Sequence, residues 1–420
     1  MTTTNHPSGA AVPVATDLQD ERLIRTEGFR GALKVGINRV RAGDLGVLPI
    51  VVGLLVIWTI FQLLNPFFLS SANLVNLLLE SAAVGVIALG IVCVLLVGEI
   101  DLSVGSVSGL SAAIVGVTFV KQDWPVGLAI LAAIATAVVI GLVYSFVYNK
   151  FGVPSFVITL AGLLGFLGLQ LFVLGVEGTI NLPFDSFLVW FGQQAFVPAW
   201  LSYVLAALGV GGFLLSQLAL SRQRVKAGLS GRPMGLVLAQ AALLAVIIFF
   251  AVWYLNRARG VGWMFVFFAA LVLIMHYAFT RTKWGRSVYA VGGNREAARR
   301  AGIGVGGIYT SIFVLGSTFA AIGGILAAGR LAASAQSSGT GDVNLNAIAA
   351  AVIGGTSLFG GRGSAFSALL GILVIQSISS GLTLLNLESS FRYMITGLVL
   401  LLAVILDAVS RKSRTSHGRA

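Results

Sequence analysis

Charge is scarce in this 420-residue chain: Asp, Glu, Lys and Arg together make up 10% of it, against 57% apolar residues. That balance excludes an ordinary soluble domain, which carries about a quarter charged residues. Cysteine is almost absent. Cys93 is the single one and lies inside an apolar run, which excludes an intrachain disulfide and leaves no cysteine-based metal site, so it reads as a small packing residue. Histidine is equally sparse. His6, His276 and His417 are far apart, two of them in polar tails, and form no metal cluster. No G-x-x-x-x-G-K-[ST] phosphate loop occurs. The nearest run, Gly355 to Arg362, lacks the lysine and the register. If ATP drives this protein, another chain binds it. No clustered nucleophile and base is present, which argues against a membrane-embedded enzyme and leaves no catalytic residue to name. No signal peptide is expected, because about forty polar residues precede the first apolar run.

What the chain does have is apolar runs of about twenty residues, each long enough to cross a ~30 Å hydrocarbon core as a helix. A backbone in lipid must satisfy its own hydrogen bonds, so helices are expected. The 52 glycines and recurrent alanines let such helices approach closely. The fold class is therefore an all-α integral membrane protein with about twelve spans: 46–64, 80–98, 103–120, 125–147, 153–175, 196–218, 235–256, 261–280, 308–328, 344–360, 364–382 and 391–409. The span at 344–360 is weak, interrupted by Gly354-Gly355 and Gly360-Gly361, and reads as broken or re-entrant.

An even count puts both termini on one side. With the termini cytoplasmic, 22 of the 27 Lys and Arg fall inside, as the positive-inside rule requires. The net charge of +12 thus reports topology and not a nucleic-acid partner. Arg257 and Arg259 are the outside residues that fit least well. Residues 1–45 form a cytoplasmic tail, in which 22–41 suits an amphipathic helix on the lipid surface and a disordered basic segment equally well. Residues 46–409 form the polytopic domain, and 410–420 a second cytoplasmic tail.

One polar segment stands between long apolar ones. In Asn294-Arg295-Glu296-Ala297-Ala298-Arg299-Arg300-Ala301-Gly302-Ile303, Asn294 is a good N-cap, Glu296 suits the first turn, Arg299 and Arg300 the last, and Gly302 the C′ position. A docking element and a solvated connector both fit that pattern. A second polar break holds Glu99, Asp101, Ser103 and Ser106 at the membrane boundary, where ionisable groups default to function. It reads as a hinge or a substrate route; alternatively Asp101 and Ser103 cap the following helix. Asn346, Thr356 and Ser357 add neutral polar groups in the broken span, though such residues are more often helix–helix hydrogen bonds. No Lys or Arg lies deep in a span and no chain of embedded acids suggests a proton relay, which argues against an ion-driven carrier, although backbone carbonyls could bind sodium. The stretches 82–112 and 347–373 share the order of Ala-rich helix, Gly-rich break and Ser/Gly/Ala-rich helix.

Gly98–Ser106, Ala290–Ile303 and Ala347–Gly361 together resemble the monosaccharide permeases of the ABC importer class, the ribose, xylose and galactose group. The resemblance covers about 46–175 and 261–409. It implies that Glu296-Ala297-Ala298 with Gly302, within the loop 281–307, is the cytoplasmic coupling helix that docks on a separate ATPase. It also implies a homodimer of permease chains, a periplasmic or lipoprotein sugar-binding protein, ATP and Mg on the ATPase alone, and residence in the bacterial inner membrane. An extra span pair within 176–260 makes the chain look most like the xylose permeases. The expected function is ATP-driven import of a monosaccharide, a pentose such as xylose, by alternating access. The rival is a stand-alone ion-coupled sugar carrier.

Overall fold

A computed structural model describes residues 48–226 and 234–388, with Ser390, Phe391, Tyr393–Ile395, Gly397, Leu398, Leu401 and Ile405. The proposed amphipathic segment 22–41, both tails and most of the span at 391–409 lie outside the described residues. The fold is mostly helical. Its helices are α1 (Leu48–Leu64), α2 (Ser71–Leu96), α3 (Val104–Gly116), α4 (Val126–Phe151), α5 (Ser155–Leu174), the single turn α6 (Phe187–Val189), α7 (Ala199–Lys226), α8 (Met234–Leu255) and α9 (Trp263–Arg281). After these come α10 (Lys283–Gly293), α11 (Arg295–Arg300), α12 (Val305–Leu331), α13 (Asp342–Ile353) and α14 (Ala365–Leu384). Among the described residues, nine helices are long and apolar enough to cross a membrane, α3 by its continuation to Lys121; α1 and α13 are shorter.

Three boundaries differ from the sequence reading, one being the end of α7, which runs to Lys226 instead of 218. The second span starts at Ser71, well before the expected edge at Glu80, because the Ser70 side chain caps it by accepting from the Asn73 N–H at 3.3 Å. The weak span is a half-helix of 12 residues that stops at Ile353; Gly355 follows with φ +98°, a conformation that only glycine adopts without strain.

Among the described residues, 203–226 and 234–251 form one compact unit, and 48–202 with those from 252 onward another. Within the first, the rings of Tyr203 and Phe249 stack at 6.2 Å, pairing α7 with α8, the extra span pair expected in 176–260. The second unit is organised around α12, which packs on α2, α3 and α4. Small residues permit the contact. A Cβ on Gly90 of α2 would stand 2.9 Å from the Gly316 carbonyl oxygen of α12, so two backbones meet where side chains would normally intervene. The core is apolar, with Phe268, Phe279, Phe313 and Ile87 fully buried. Leu131, Val139, Leu142 and Phe146 stay exposed on α4, as a lipid-facing surface requires.

Beyond the end of α12, β2 (Ala333–Ala335) pairs antiparallel with β1 (Thr179–Asn181), in the register Thr179 with Ala335 and Asn181 with Ala333. Gln170 reinforces this tie by donating to the carbonyls of Ala335 and Ser338, both at 3.0 Å. The two ill-fitting arginines are accounted for locally. Arg257 lies over the Trp253 ring at 5.4 Å, and Arg259 over Phe196 at 5.0 Å while bonding Asn76.

Candidate functional site

The three segments that carry the resemblance meet at one end of the fold. The Gly361 N–H donates to the Leu96 carbonyl at 2.9 Å, at the end of α2. A Cβ on Gly292 would overlap that same carbonyl, and one on Gly360 would lie 2.7 Å from the Gly292 oxygen and 2.8 Å from the Gly98 nitrogen. Gly98 and Gly360 have φ of +82° and +81°. Three chain segments therefore touch backbone to backbone, which no residue with a side chain permits. Tyr289 of α10 adds a fourth link, its hydroxyl donating to the Gly363 carbonyl at 2.9 Å. Burial pushes the Tyr289 phenol above its ordinary value, which keeps the donating proton in place.

From this junction the break 98–102 runs alongside α13. Gly98 meets Gly360 just past the C-terminal end of that half-helix, and the Leu102 carbonyl accepts from Asn344 Nδ2 in its first turn at 2.8 Å. Helix α5 pins the opposite side: Ser155 Oγ accepts from the Ile100 N–H at 3.3 Å and Thr159 Oγ1 from the Leu102 N–H at 3.2 Å. Asp101 is buried, and its Oδ1 accepts from both the N–H and the hydroxyl of Ser103, at 2.8 and 2.7 Å. The expected Ser103 cap does not form. Its hydroxyl is committed to Asp101 and accepts from Tyr144 at 2.6 Å, so no oxygen lone pair is aimed at the first turn of α3.

The other polar residues of the sequence reading are also turned inward. Ser106 donates to the Ser103 carbonyl at 2.9 Å, and Ser357 Oγ accepts from the Phe359 N–H at 3.3 Å. Thr356 is buried with no partner for its hydroxyl. On α13 the side chain that bonds the break is Asn344, two residues before the Asn346 singled out in the sequence as a hinge or substrate-route residue. These residues build a packed joint. A half-exposed polar group on a span lies elsewhere: Glu80 of α2 sits 3.9 Å from Arg330 and bonds Gln376 of α14.

The segment 294–303 folds as its sequence suggests. Asn294 Oδ1 accepts from the Ala297 N–H at 2.9 Å. Gly302 has φ +81°; its N–H donates to the Arg299 carbonyl at 3.0 Å while the Ile303 N–H donates to Ala298 at 3.1 Å. These are the paired bonds of a Schellman cap. Glu296 lies 3.4 Å from Arg300 and 3.8 Å from Arg299. Ala298 is buried in the core and Ile303 packs on it, whereas Glu296, Ala297, Arg299 and Arg300 face outward.

Arg295 turns the other way, although its outer side stays open. Its guanidinium lies over the rings of Tyr148 on α4 and Tyr309 on α12, at 5.6 and 5.2 Å. Its Nη1 donates to the Tyr148 hydroxyl at 3.2 Å, and that hydroxyl donates to Glu99 Oε1. Neither tyrosine emerges from sequence reasoning. The one available signal is that Tyr144 and Tyr148 stand one helical turn apart on α4 and so share a face.

Comparisons with known proteins give the family. A family model described as the branched-chain amino acid transport system permease component matches residues 73–404. The xylose transport system permease protein XylH of Escherichia coli strain K12 is 34% identical over 380 residues, 90% of this chain and 95% of the relative. Its namesake in Haemophilus influenzae is 33% identical, over 89% of this chain and 99% of the relative. The ribose import permease protein RbsC of Bacillus subtilis strain 168 is 33% identical, over 84% and 90%. No solved structure matches the chain significantly. A multi-pass helical chain with these relatives belongs to the family of branched-chain amino acid transport system permease components, and within it resembles the xylose and ribose permeases.

Proposed function

We propose that this chain is the membrane-spanning subunit of an ATP-driven monosaccharide importer of pentose, xylose-like type, resident in the bacterial inner membrane. The observation that carries the reading is the α11 segment: a six-residue helix capped at both ends, tethered inward by Ala298 and Arg295, with Glu296, Ala297, Arg299 and Arg300 presented outward. A rigid polar knob of this kind suits insertion into a cleft of a separate ATPase, which would carry ATP and Mg. Two permease chains would stand side by side, and a periplasmic or lipoprotein sugar-binding protein would deliver the substrate to the opposite end. Each partner must favour one membrane state, since a ligand with equal affinity for both shifts nothing.

The test is affinity purification of the chain from its native host in gentle detergent, wild type beside Glu296→Arg. Retained proteins are identified by mass spectrometry, and uptake of xylose and ribose is followed in liposomes. Retention of a phosphate-loop ATPase by the wild type and its loss from the variant supports the reading. Uptake by a wild type that holds no ATPase and responds to an ion gradient would replace it with the stand-alone carrier.

A further inference from the structure

We propose that Arg295 is the positioning residue through which movement of the α11 knob reaches the polar break at Glu99; the inference rests on the coupling role given to α11 above. Four elements converge on its guanidinium or on the group it bonds. Arg295 opens α11, Tyr148 stands on α4, Tyr309 on α12, and Glu99 in the break between α2 and α3. The two tyrosine rings lie 4.6 Å apart, tilted at 47°, and the guanidinium lies within 5.6 Å of both. Cation–π attraction to two rings on different helices fixes the cation in two directions at once. The bonds from Arg295 to Tyr148 and from Tyr148 to Glu99 fix it in a third.

The contrast with its neighbours marks Arg295 out. Arg299 and Arg300 pair with Glu296 inside α11 and can move with it freely. Arg295 cannot shift without dragging the ring pair, breaking the Tyr148 bond, or releasing Glu99. Glu99 is followed by the stretch that α5 and Asn344 hold by four hydrogen bonds, so a change at Glu99 is delivered to a bonded segment and not to a slack loop. A lysine would keep the charge but not the planar fork that lies on two rings and donates in plane.

The test uses the purified complex in liposomes, with radiolabelled xylose and ribose as probes, and compares wild type with Arg295→Ala, Arg295→Lys and Tyr148→Phe. Three quantities are read: ATPase retained, ATP hydrolysed, and sugar imported per ATP. A fourth readout reports the break itself. Ile100→Cys, at a partly exposed site in the break, is labelled with a maleimide with and without ATP, alone and combined with Arg295→Ala. The expected result is that Arg295→Ala retains the ATPase and hydrolyses ATP, while sugar per ATP falls about tenfold and the ATP-dependent change in labelling at position 100 disappears. Arg295→Lys and Tyr148→Phe should fall between. Unchanged sugar per ATP with unchanged labelling overturns the relay while leaving docking intact. Loss of the ATPase from Arg295→Ala also overturns it, because the residue is then part of the docking surface. A wild type that retains no ATPase fails the functional reading itself, and the relay that rests on it falls with it.

Discussion

The backbone N–H of Gly361 donates to the carbonyl of Leu96 at 2.9 Å, joining two segments far apart in the chain. Gly292 lies against the same carbonyl so closely that a Cβ would overlap it. Gly292→Ala should therefore destabilise the protein by about 1–3 kcal/mol through overpacking. Its neighbour Gly293 has open space where a Cβ would go and no positive φ. Gly293→Ala should be neutral or stabilise by a few tenths, about 0.4 kcal/mol, by narrowing the unfolded ensemble. Thermal melting of the two variants in detergent checks the pair; equal melting temperatures would refute the close-contact account.

The caps of α11 are separable from its outward face. Asn294→Ala removes one backbone bond and should cost about 1 kcal/mol of local stability. Gly302→Ala forces an alanine into φ +81° and should cost about 1–2 kcal/mol. Hydrogen exchange of amides 297–303 should then quicken roughly fivefold or more, with amides in α2 unaffected. Uniform quickening across both helices would mean that the cap belongs to the global fold.

Glu80 and Arg330 form a half-exposed ion pair at 3.9 Å between two spans. A double-mutant cycle with Glu80→Gln and Arg330→Gln should return a coupling of about 1 kcal/mol or less in melting experiments, since exposed pairs are weak. A larger effect on sugar uptake than on melting would place Glu80 in a polar passage, because a carboxylate on a lipid-facing surface is expensive.

Gln170 holds the strap 335–338 through its side-chain amide nitrogen: Nε2 donates to the carbonyls of Ala335, Gln336 and Ser338. Beneath that strap is a cavity of about 140 Å³ lined by Ile87, Ser108, Ser338, Gly339 and Val343, among others. Gln170→Leu removes these bonds, leaving the Ala335 carbonyl with the Ser338 N–H at 2.9 Å, and should cost about 1–3 kcal/mol for the carbonyls it no longer serves. Val343→Cys, which puts a thiol on the cavity wall, should label faster when combined with Gln170→Leu. Unaltered labelling would show that β1 alone suffices to hold the strap.

Which features are legible in the sequence follows from how far each signal travels along the chain. The α11 helix is written in ten adjacent residues, and its N-cap, charge order and C′ glycine all form as local rules direct. The broken span is marked by its own glycines. The long spans follow from hydropathy, and the Ser70 cap, hidden in a polar stretch, moves the start of α2. The joint is another matter. Asn344, which bonds the break, does not stand out from Asn346 in the sequence; two residues turn a helix by about 200°, so telling which of them faces the break needs the helix's orientation, which composition does not carry. Tyr148 and Tyr309 are lost in apolar runs because each has its partner on another element, 49 residues away in the case of Tyr148 and Glu99. Ser103 reads as a cap because Ser before an apolar run usually is one; a buried Asp101 and Tyr144 compete for its hydroxyl.

Helix α12 is fastened at both extremities. At Ala333–Ala335, just beyond its last turn, a backbone ladder ties it to β1, and near its first turn the Tyr309 ring packs at a tilt against Tyr148 under Arg295. Between these points its glycines lie against α2 and α3 with no side chains of their own to act as bearings. A rod clamped at each end and seated on bare backbone has no freedom to slide along its axis. Work done on the α11 end must leave it as tilt or twist of the whole rod, so the far strap would feel a push at the near end without any loop between them having to change length.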